Sequence, residues 1–127
     1  MTLLVLIRHA PTTWNAEGRL QGRSDTPLSE EGEAMLQTWA PPKAFSGFDW
    51  VSSPLGRTMR TARVLAGRNV AKDDRIIEMD WGDWEGRTRN ELSETLGSDF
   101  HENEPRGLDF LPPGGESPRT VQDRLKP

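Results

Sequence analysis

Arg8, His9, Asn15, Arg57 and Glu78 are the residues of this 127-residue chain whose types and places could do chemistry together. The two guanidiniums match the charged oxygens of a phosphoryl group bidentately, and Asn15 adds an amide donor. A neutral imidazole is a competent nucleophile toward phosphorus and gives a phosphohistidine that water can later cleave. Phosphoryl transfer demands little beyond positioning and charge stabilisation. Glu78 could protonate the departing oxygen. Ser52 and Ser53 could add donors, with the N-terminus of the following helix directed at the anion. Plainer readings stand beside these. A histidine after a strand is usually structural, and an arginine near a helix start usually lies at the surface. Asp80, Asp83 and Glu85 read as a solvated face rather than a cation site, because no His or Cys joins them. Trp81 and Trp84 read as packing residues. Taken singly, none of these signals carries a function.

The elements that must position these residues can be read coarsely. Leu3-Leu4-Val5-Leu6-Ile7 is an unbroken apolar run that fits a strand buried inside a parallel sheet, stopped by Arg8-His9-Ala10-Pro11. Residues 11–28 carry Pro, Gly, Asn and Asp at short intervals and read as a long loop. Ser29 is an N-cap, Glu30 and Glu31 suit the helix dipole, and Met35, Leu36 and Trp39 share a face that ends at Pro41-Pro42. Residues 48–51 form a second strand. Ser53 with Pro54 then opens a helix through Leu55, Met59, Ala62 and Leu65 or Ala66, closed by Gly67. Residues 75–79 are a third strand candidate. Thr88 to Glu91 has capping-box form, with Leu92 and Leu96 on one side and Gly97 at the end. Ser117-Pro118 opens a last short helix through Leu125. Alternating strands and helices predict an α/β domain with a parallel sheet, whose ligands bind beyond the carboxyl ends of the strands. That rim is where Arg8-His9, Ser52-Ser53 and Glu78 fall.

Composition narrows the classes. The length suits one domain, residues 1–127. The longest apolar run is far too short for a membrane span, and 16 basic against 20 acidic residues argue against a general nucleic-acid binder. There is no cysteine, which fits a reducing compartment, and the start has no signal-peptide pattern, so a cytoplasmic location is expected. Arginine dominates the basic residues, which fits either anion recognition or a GC-rich genome. Leu, Ile, Val and Phe make up only about 20% of the chain and the mean hydropathy is -0.73, so the expected core is thin. With a net charge of only -4, however, the disorder signature is incomplete.

Four blocks together resemble the histidine phosphatase superfamily, also called phosphoglycerate mutase-like. The first is Leu6-Ile7-Arg8-His9-Ala10-Pro11-Thr12-Thr13-Trp14-Asn15, followed by Gly18-Arg19-Leu20-Gln21-Gly22-Arg23, Asp25, Pro27-Leu28-Ser29 and Gly32. The second is Ser52-Ser53-Pro54-Leu55-Gly56-Arg57 with Thr61-Ala62. The third runs from Glu78 to Gly86 and the fourth from Pro112 to Ser117. The resemblance implies a three-layer α/β/α sandwich with a mostly parallel sheet and a phosphohistidine mechanism without metal or cofactor. It implies His9 as nucleophile, Arg8 and Arg57 gripping the phosphate, Asn15, Gln21 and Gly22 lining the same pocket, and Glu78 as general acid. The third and fourth blocks look more like the phosphatase branch than the glycolytic mutases. The implied partner is a small phosphorylated substrate, and an exposed sheet edge could recruit a second copy.

Two departures accompany the resemblance. Ala10 stands where the family usually has Gly, which matters only if that residue needs a positive φ. Family members also carry a second catalytic histidine near the end of a later strand, and no residue here matches it. The only other histidine, His101, follows no apolar strand. The resemblance therefore implies a shortened, incomplete domain of low stability and weak or no activity. The readings to be separated are a phosphomonoesterase, a mutase-type phosphoryl transferase and a non-catalytic phosphate-binding module.

Overall fold

The computed structural model describes residues 2–126. Its helices begin where a side-chain oxygen can take up the first free N–H groups. Ser29 accepts from the Gly32 N–H at 3.0 Å and opens α2 (Glu30–Thr38), whose first turn holds Glu30, Glu31 and Glu33. Thr88 and Glu91 cap each other reciprocally at the start of α4 (Arg89–Leu96). Ser117, with Pro118 at the first helical position, opens α6 (Pro118–Arg124). Gly67, at φ 63°, closes α3 (Gly56–Ala66) in the left-handed conformation that costs glycine least. A six-residue α5 (Ser98–Asn103) follows Gly97. The stretch read as a loop holds one further turn, α1 (Thr13–Ala16), closed by a Thr12–Asn15 capping box.

The sheet is a parallel pair. β1 (Val51–Ser52) and β2 (Ala71–Lys72) align Val51 with Ala71 and Ser52 with Lys72, and α3 is the crossover between them. This βαβ unit is the α/β organisation that the sequence predicts, with α2 packed against α3. Four expected details differ. The strand expected at residues 48–51 is formed by Val51–Ser52, with residues 48–50 outside it. Residues 3–7 are not a strand: among the described residues nothing bonds their backbone, and Leu3, Leu4 and Leu6 are 62%, 77% and 85% exposed. Apolar composition favours a buried strand but cannot supply the neighbours that make one. Residues 75–79 are not a strand either. Arg75 and Ile76 belong to a 3₁₀ turn, Asp74–Ile76, capped by Asp73, residues 77–79 leave it without strand pairing, and β2 lies just before it at Ala71–Lys72. Lastly, α3 begins at Gly56 rather than Pro54. Ser53 makes only a long 3.5 Å contact with the Leu55 N–H, while the Asp25 carboxylate accepts from Gly56 N–H at 2.7 Å and Arg57 N–H at 3.4 Å.

The main apolar cluster joins Trp84, Leu92 and Phe100, with Leu20, Trp81, Leu96 and Phe110 packed around them. Ring centroids of Trp84 lie 5.2 Å from Phe100 and 5.6 Å from Phe110, both tilted or edge-on, the favourable aromatic geometry. Trp81 and Trp84 are thus packing residues, as read from the sequence. Leu36 and Leu55 are buried elsewhere, under α2 and at the start of α3. No helix of the described residues is long and apolar enough to cross a membrane.

Candidate active site

A cavity of about 260 Å³ opens beside His9, walled by Ser53, Leu55, Arg57, Thr58, Ile76, Ile77, Glu78, Met79 and Val121. Four segments distant in sequence therefore meet there: the His9 segment, the start of α3, the stretch ahead of the Gly82–Trp84 turn, and Val121 on α6.

The His9 segment is tied down on two sides. Fully buried Ala10 donates its N–H to Thr61 Oγ1 on α3 at 3.0 Å, and Thr61 donates onward to the Arg57 carbonyl at 2.8 Å. Pro11 offers its carbonyl to the Ser29 N–H at 3.0 Å. Gly32 lies so close beneath Pro11 that any side chain there would overlap that carbonyl. Among the described residues no residue other than glycine has a positive φ, so Ala10 meets no conformational demand that glycine alone would satisfy.

Within this frame the half-buried His9 ring has one defined tautomer. Its Nδ1 lies 2.7 Å from the Ala10 carbonyl, which can only accept, so Nδ1 carries the hydrogen and Nε2 keeps the lone pair. Burial pushes the His9 pKa below its ordinary value of 6.5. The bond to Ala10 opposes that push, the charges of Arg57 and Arg8 add to it, and Glu78 opposes it. On balance the site favours the neutral imidazole.

Arg57 is only 2% exposed. Its Nη1 and Nη2 donate to the carbonyls of Ser24 (2.9 Å) and Gly22 (2.7 Å), and its Nε is buried with no partner among the described residues. Desolvation lowers its pKa, offset in part by Asp25, Glu78 and Glu85, and a guanidinium in a protein keeps its proton. Glu78 is exposed on the cavity wall, and its Oε1 accepts from the Met79 N–H.

The other expected residues stand outside the cavity lining. Arg8 is exposed and makes no hydrogen bond or ion pair among the described residues. Asn15 uses its Oδ1 to accept from the Thr12 N–H and hydroxyl, both at 2.9 Å. Gln21 Oε1 lies 3.0 Å from Thr12 Oγ1, whose one hydrogen it shares with Asn15, and the Gln21 amide donates to Thr26. Gly22 contributes its carbonyl to Arg57. His101 lies on α5 with its Nε2 2.9 Å from Ser93 Oγ, away from the cavity. The α3 N-terminus is not open to an anion, because Asp25 already occupies its first N–H groups.

Sequence reasoning gave no role to Glu85, Ser24, Asp25 or Thr61, although three of them fall inside the quoted blocks. Glu85 is the clearest miss. It is not a solvated face: it is half-buried and accepts from the Arg23 and Ser24 N–H groups, both at 2.7 Å, from the Ser24 hydroxyl and from Trp81 N–H at 3.4 Å. Burial alone would raise its pKa, but these bonds outweigh it and hold the carboxyl below the ordinary range. Asp80 and Glu116 are likewise engaged, since Glu116 accepts from Asp80 N–H at 3.0 Å and pairs with Arg23 at 2.8 Å. Among the described residues no group of three or more His, Cys, Asp or Glu side chains is gathered for a metal ion.

Comparison with known proteins extends this picture. The family model for the histidine phosphatase superfamily (branch 1) matches residues 4–127. The chain is 40% identical to phosphoserine phosphatase 1 of Hydrogenobacter thermophilus, over 99% of this chain and 62% of that protein. It is 36% identical to a probable phosphoglycerate mutase GpmB of Salmonella paratyphi C, over 98% of this chain and 60% of that protein. The chain thus spans about three-fifths of the length of these curated relatives. Among solved structures it is similar to TTHB049 of Thermus thermophilus (TM-score 0.74, 38% identity, 93% of this chain and 65% of that one). It is also similar to YhfR of Bacillus stearothermophilus (TM-score 0.73, 32% identity, 92% and 60%).

Proposed function

Because this chain belongs to the histidine phosphatase superfamily, we propose that its site hydrolyses phosphomonoesters through a phosphohistidine on His9. The observation that carries the proposal is the His9 ring itself. With Nδ1–H held by the Ala10 carbonyl and the positive charge of Arg57 nearby, Nε2 is a fixed, unprotonated nucleophile on the wall of a cavity that Glu78 shares.

In the first step Nε2 attacks phosphorus, the P–O ester bond breaks, and the Glu78 carboxylic acid gives its proton to the leaving alkoxide. In the second, water attacks the phosphohistidine. Its proton passes to the Glu78 carboxylate, the P–N bond breaks and phosphate departs. Charge building on the equatorial oxygens is met by the fixed field of Arg57 and by Arg8, whose unengaged side chain can close on the phosphoryl group. Asn15 has its amide nitrogen left to donate, since only its oxygen is engaged by Thr12. No metal or cofactor enters these steps. The substrate is a small phosphorylated molecule.

The test is turnover of p-nitrophenyl phosphate together with trapping of labelled phosphate on the protein. Label that appears on His9 and is lost in His9→Ala, along with turnover, supports the mechanism. Phosphate binding without label or turnover would instead make the chain a non-catalytic phosphate-binding module. The relatives named as probable phosphoglycerate mutases favour a second reading, mutase-type transfer. Efficient interconversion of 2- and 3-phosphoglycerate with negligible phosphatase activity would establish that reading instead.

A further inference from the structure

The turn at residues 22–24 is gripped from both sides. On one side its N–H groups at Arg23 and Ser24, with the Ser24 hydroxyl, point to the Glu85 carboxylate. On the other, its carbonyls at Gly22 and Ser24 hold the two terminal nitrogens of Arg57. Each bond has one charged partner, the stronger class of hydrogen bond, and donation at one end of a peptide unit strengthens acceptance at the other. Contact is tight. A side chain at residue 22 would overlap Glu85 Oε1 and come within 2.8 Å of the Met79 carbonyl. The next residue, Asp25, caps the helix that carries Arg57. Because Arg57 Nε has no partner among the described residues, these two carbonyls are what orient the planar guanidinium, whose long side chain would otherwise sample many rotamers.

We propose that Glu85 is a positioning residue for Arg57, acting through the 22–24 turn to hold the guanidinium beside His9. That role rests on the assignment of Arg57 to phosphoryl recognition, but its geometry does not depend on turnover. Glu85 need not touch substrate. It accepts from one face of the turn so that the other face presents its carbonyls in register with the guanidinium fork. A glutamine in its place has a single acceptor oxygen and turns an NH₂ group toward N–H groups, so the turn would lose its anchor.

The sign of one measurement separates positioning from other roles. His9 is acted on by Arg57, Arg8 and Glu78 and by its bond to the Ala10 carbonyl. The probe is the His9 ring titration followed by nitrogen-15 NMR on the full chain. Removing the Arg57 charge in Arg57→Gln raises the midpoint. Glu85→Gln is expected to raise it too, by at least half as much, because the guanidinium drifts away. It should add nothing in the Arg57→Gln background, the signature of one coupled unit. A direct charge effect of Glu85 has the opposite sign, since losing a nearby carboxylate lowers a histidine midpoint. An unchanged or lowered midpoint, or an equal rise without Arg57, would overturn the proposal. Near-UV circular dichroism reports whether the variant is folded. If Glu85→Gln is not, Ser24→Ala removes one donor to the same carboxylate and must shift the midpoint upward. Absence of label on His9 would defeat the phosphatase reading alone, leaving this result to stand or fall by itself.

Discussion

Ala10 and Thr61, 51 residues apart, are joined by a buried hydrogen bond of 3.0 Å from the Ala10 N–H to the Thr61 hydroxyl. The same hydroxyl donates to the Arg57 carbonyl, so the backbone beside His9 and the helix bearing Arg57 share one oxygen atom as their common point. Thr61→Val keeps the shape and deletes that oxygen. The Ala10 N–H is then left unpaired, and we expect a loss of about 1–3 kcal/mol in urea unfolding, with His9 resonances shifted in the folded state. Unfolding unchanged within a few tenths of a kcal/mol would show that Ala10 finds another partner.

Gly32→Ala sets two effects against each other. Alanine is the better helix former by about 1 kcal/mol. At Gly32, however, the new methyl group would overlap the Pro11 carbonyl. Overpacking of this kind typically costs about 1–3 kcal/mol, so the net change is destabilising and moves the Ser29–Pro11 contact along with the His9 segment. Chemical denaturation decides the sign. A stabilised variant would mean that α2 is free to slide away from Pro11.

How much of this was legible in sequence follows from where each determinant lies. The caps at Ser29, Thr88 and Ser117 and the glycine at Gly67 act within a few residues, so local reading found them. The blocks containing His9, Arg57 and Glu78 marked residues that the fold brings to one cavity. Strand placement failed at residues 3–7 and 75–79 because a strand is defined by a neighbour that its own residues do not encode. The start of α3 was misplaced because its capping carboxylate, Asp25, lies 31 residues upstream of Gly56. Glu85 looked like surface because the turn it anchors is about 60 residues away. Gln21 and Gly22 were expected to line the pocket, but they stand outside the cavity lining and their bonds go to Thr12, Thr26 and Arg57.

Acid should weaken the fold in a window set by His9. Its folded pKa lies below 6.5, so as pH falls through 6.5 the unfolded chain takes up that proton before the folded one does. Stability therefore declines as pH falls below about 6.5, whereas above it His9 is neutral in both states and contributes no slope. Thermal melts across this range should show a shallower decline for His9→Gln than for the wild type. Equal slopes would show that the ring titrates as it does in the unfolded chain.

Leu92→Ala tests the main apolar cluster. Leu92 is fully buried between Trp84, Phe100 and their neighbours. Truncation should cost about 2–5 kcal/mol and alter tryptophan fluorescence. A cost below about 1 kcal/mol would mean that the cluster collapses into the space.

The makeup of that cluster also has a consequence in time. Apart from Leu20, all its members lie between residues 81 and 110, so it closes short loops. The links around His9, by contrast, reach from Ala10 to Thr61 and from Arg23 to Glu85. Short-range contacts form faster than distant ones, because less chain must be brought together. On refolding, the aromatic half should therefore assemble first and the half that holds His9 and Arg57 last. Stopped-flow fluorescence of the cluster tryptophans should run ahead of hydrogen-exchange protection at Ala10 and Arg23. Simultaneous appearance of both signals would mean that the two halves nucleate as one.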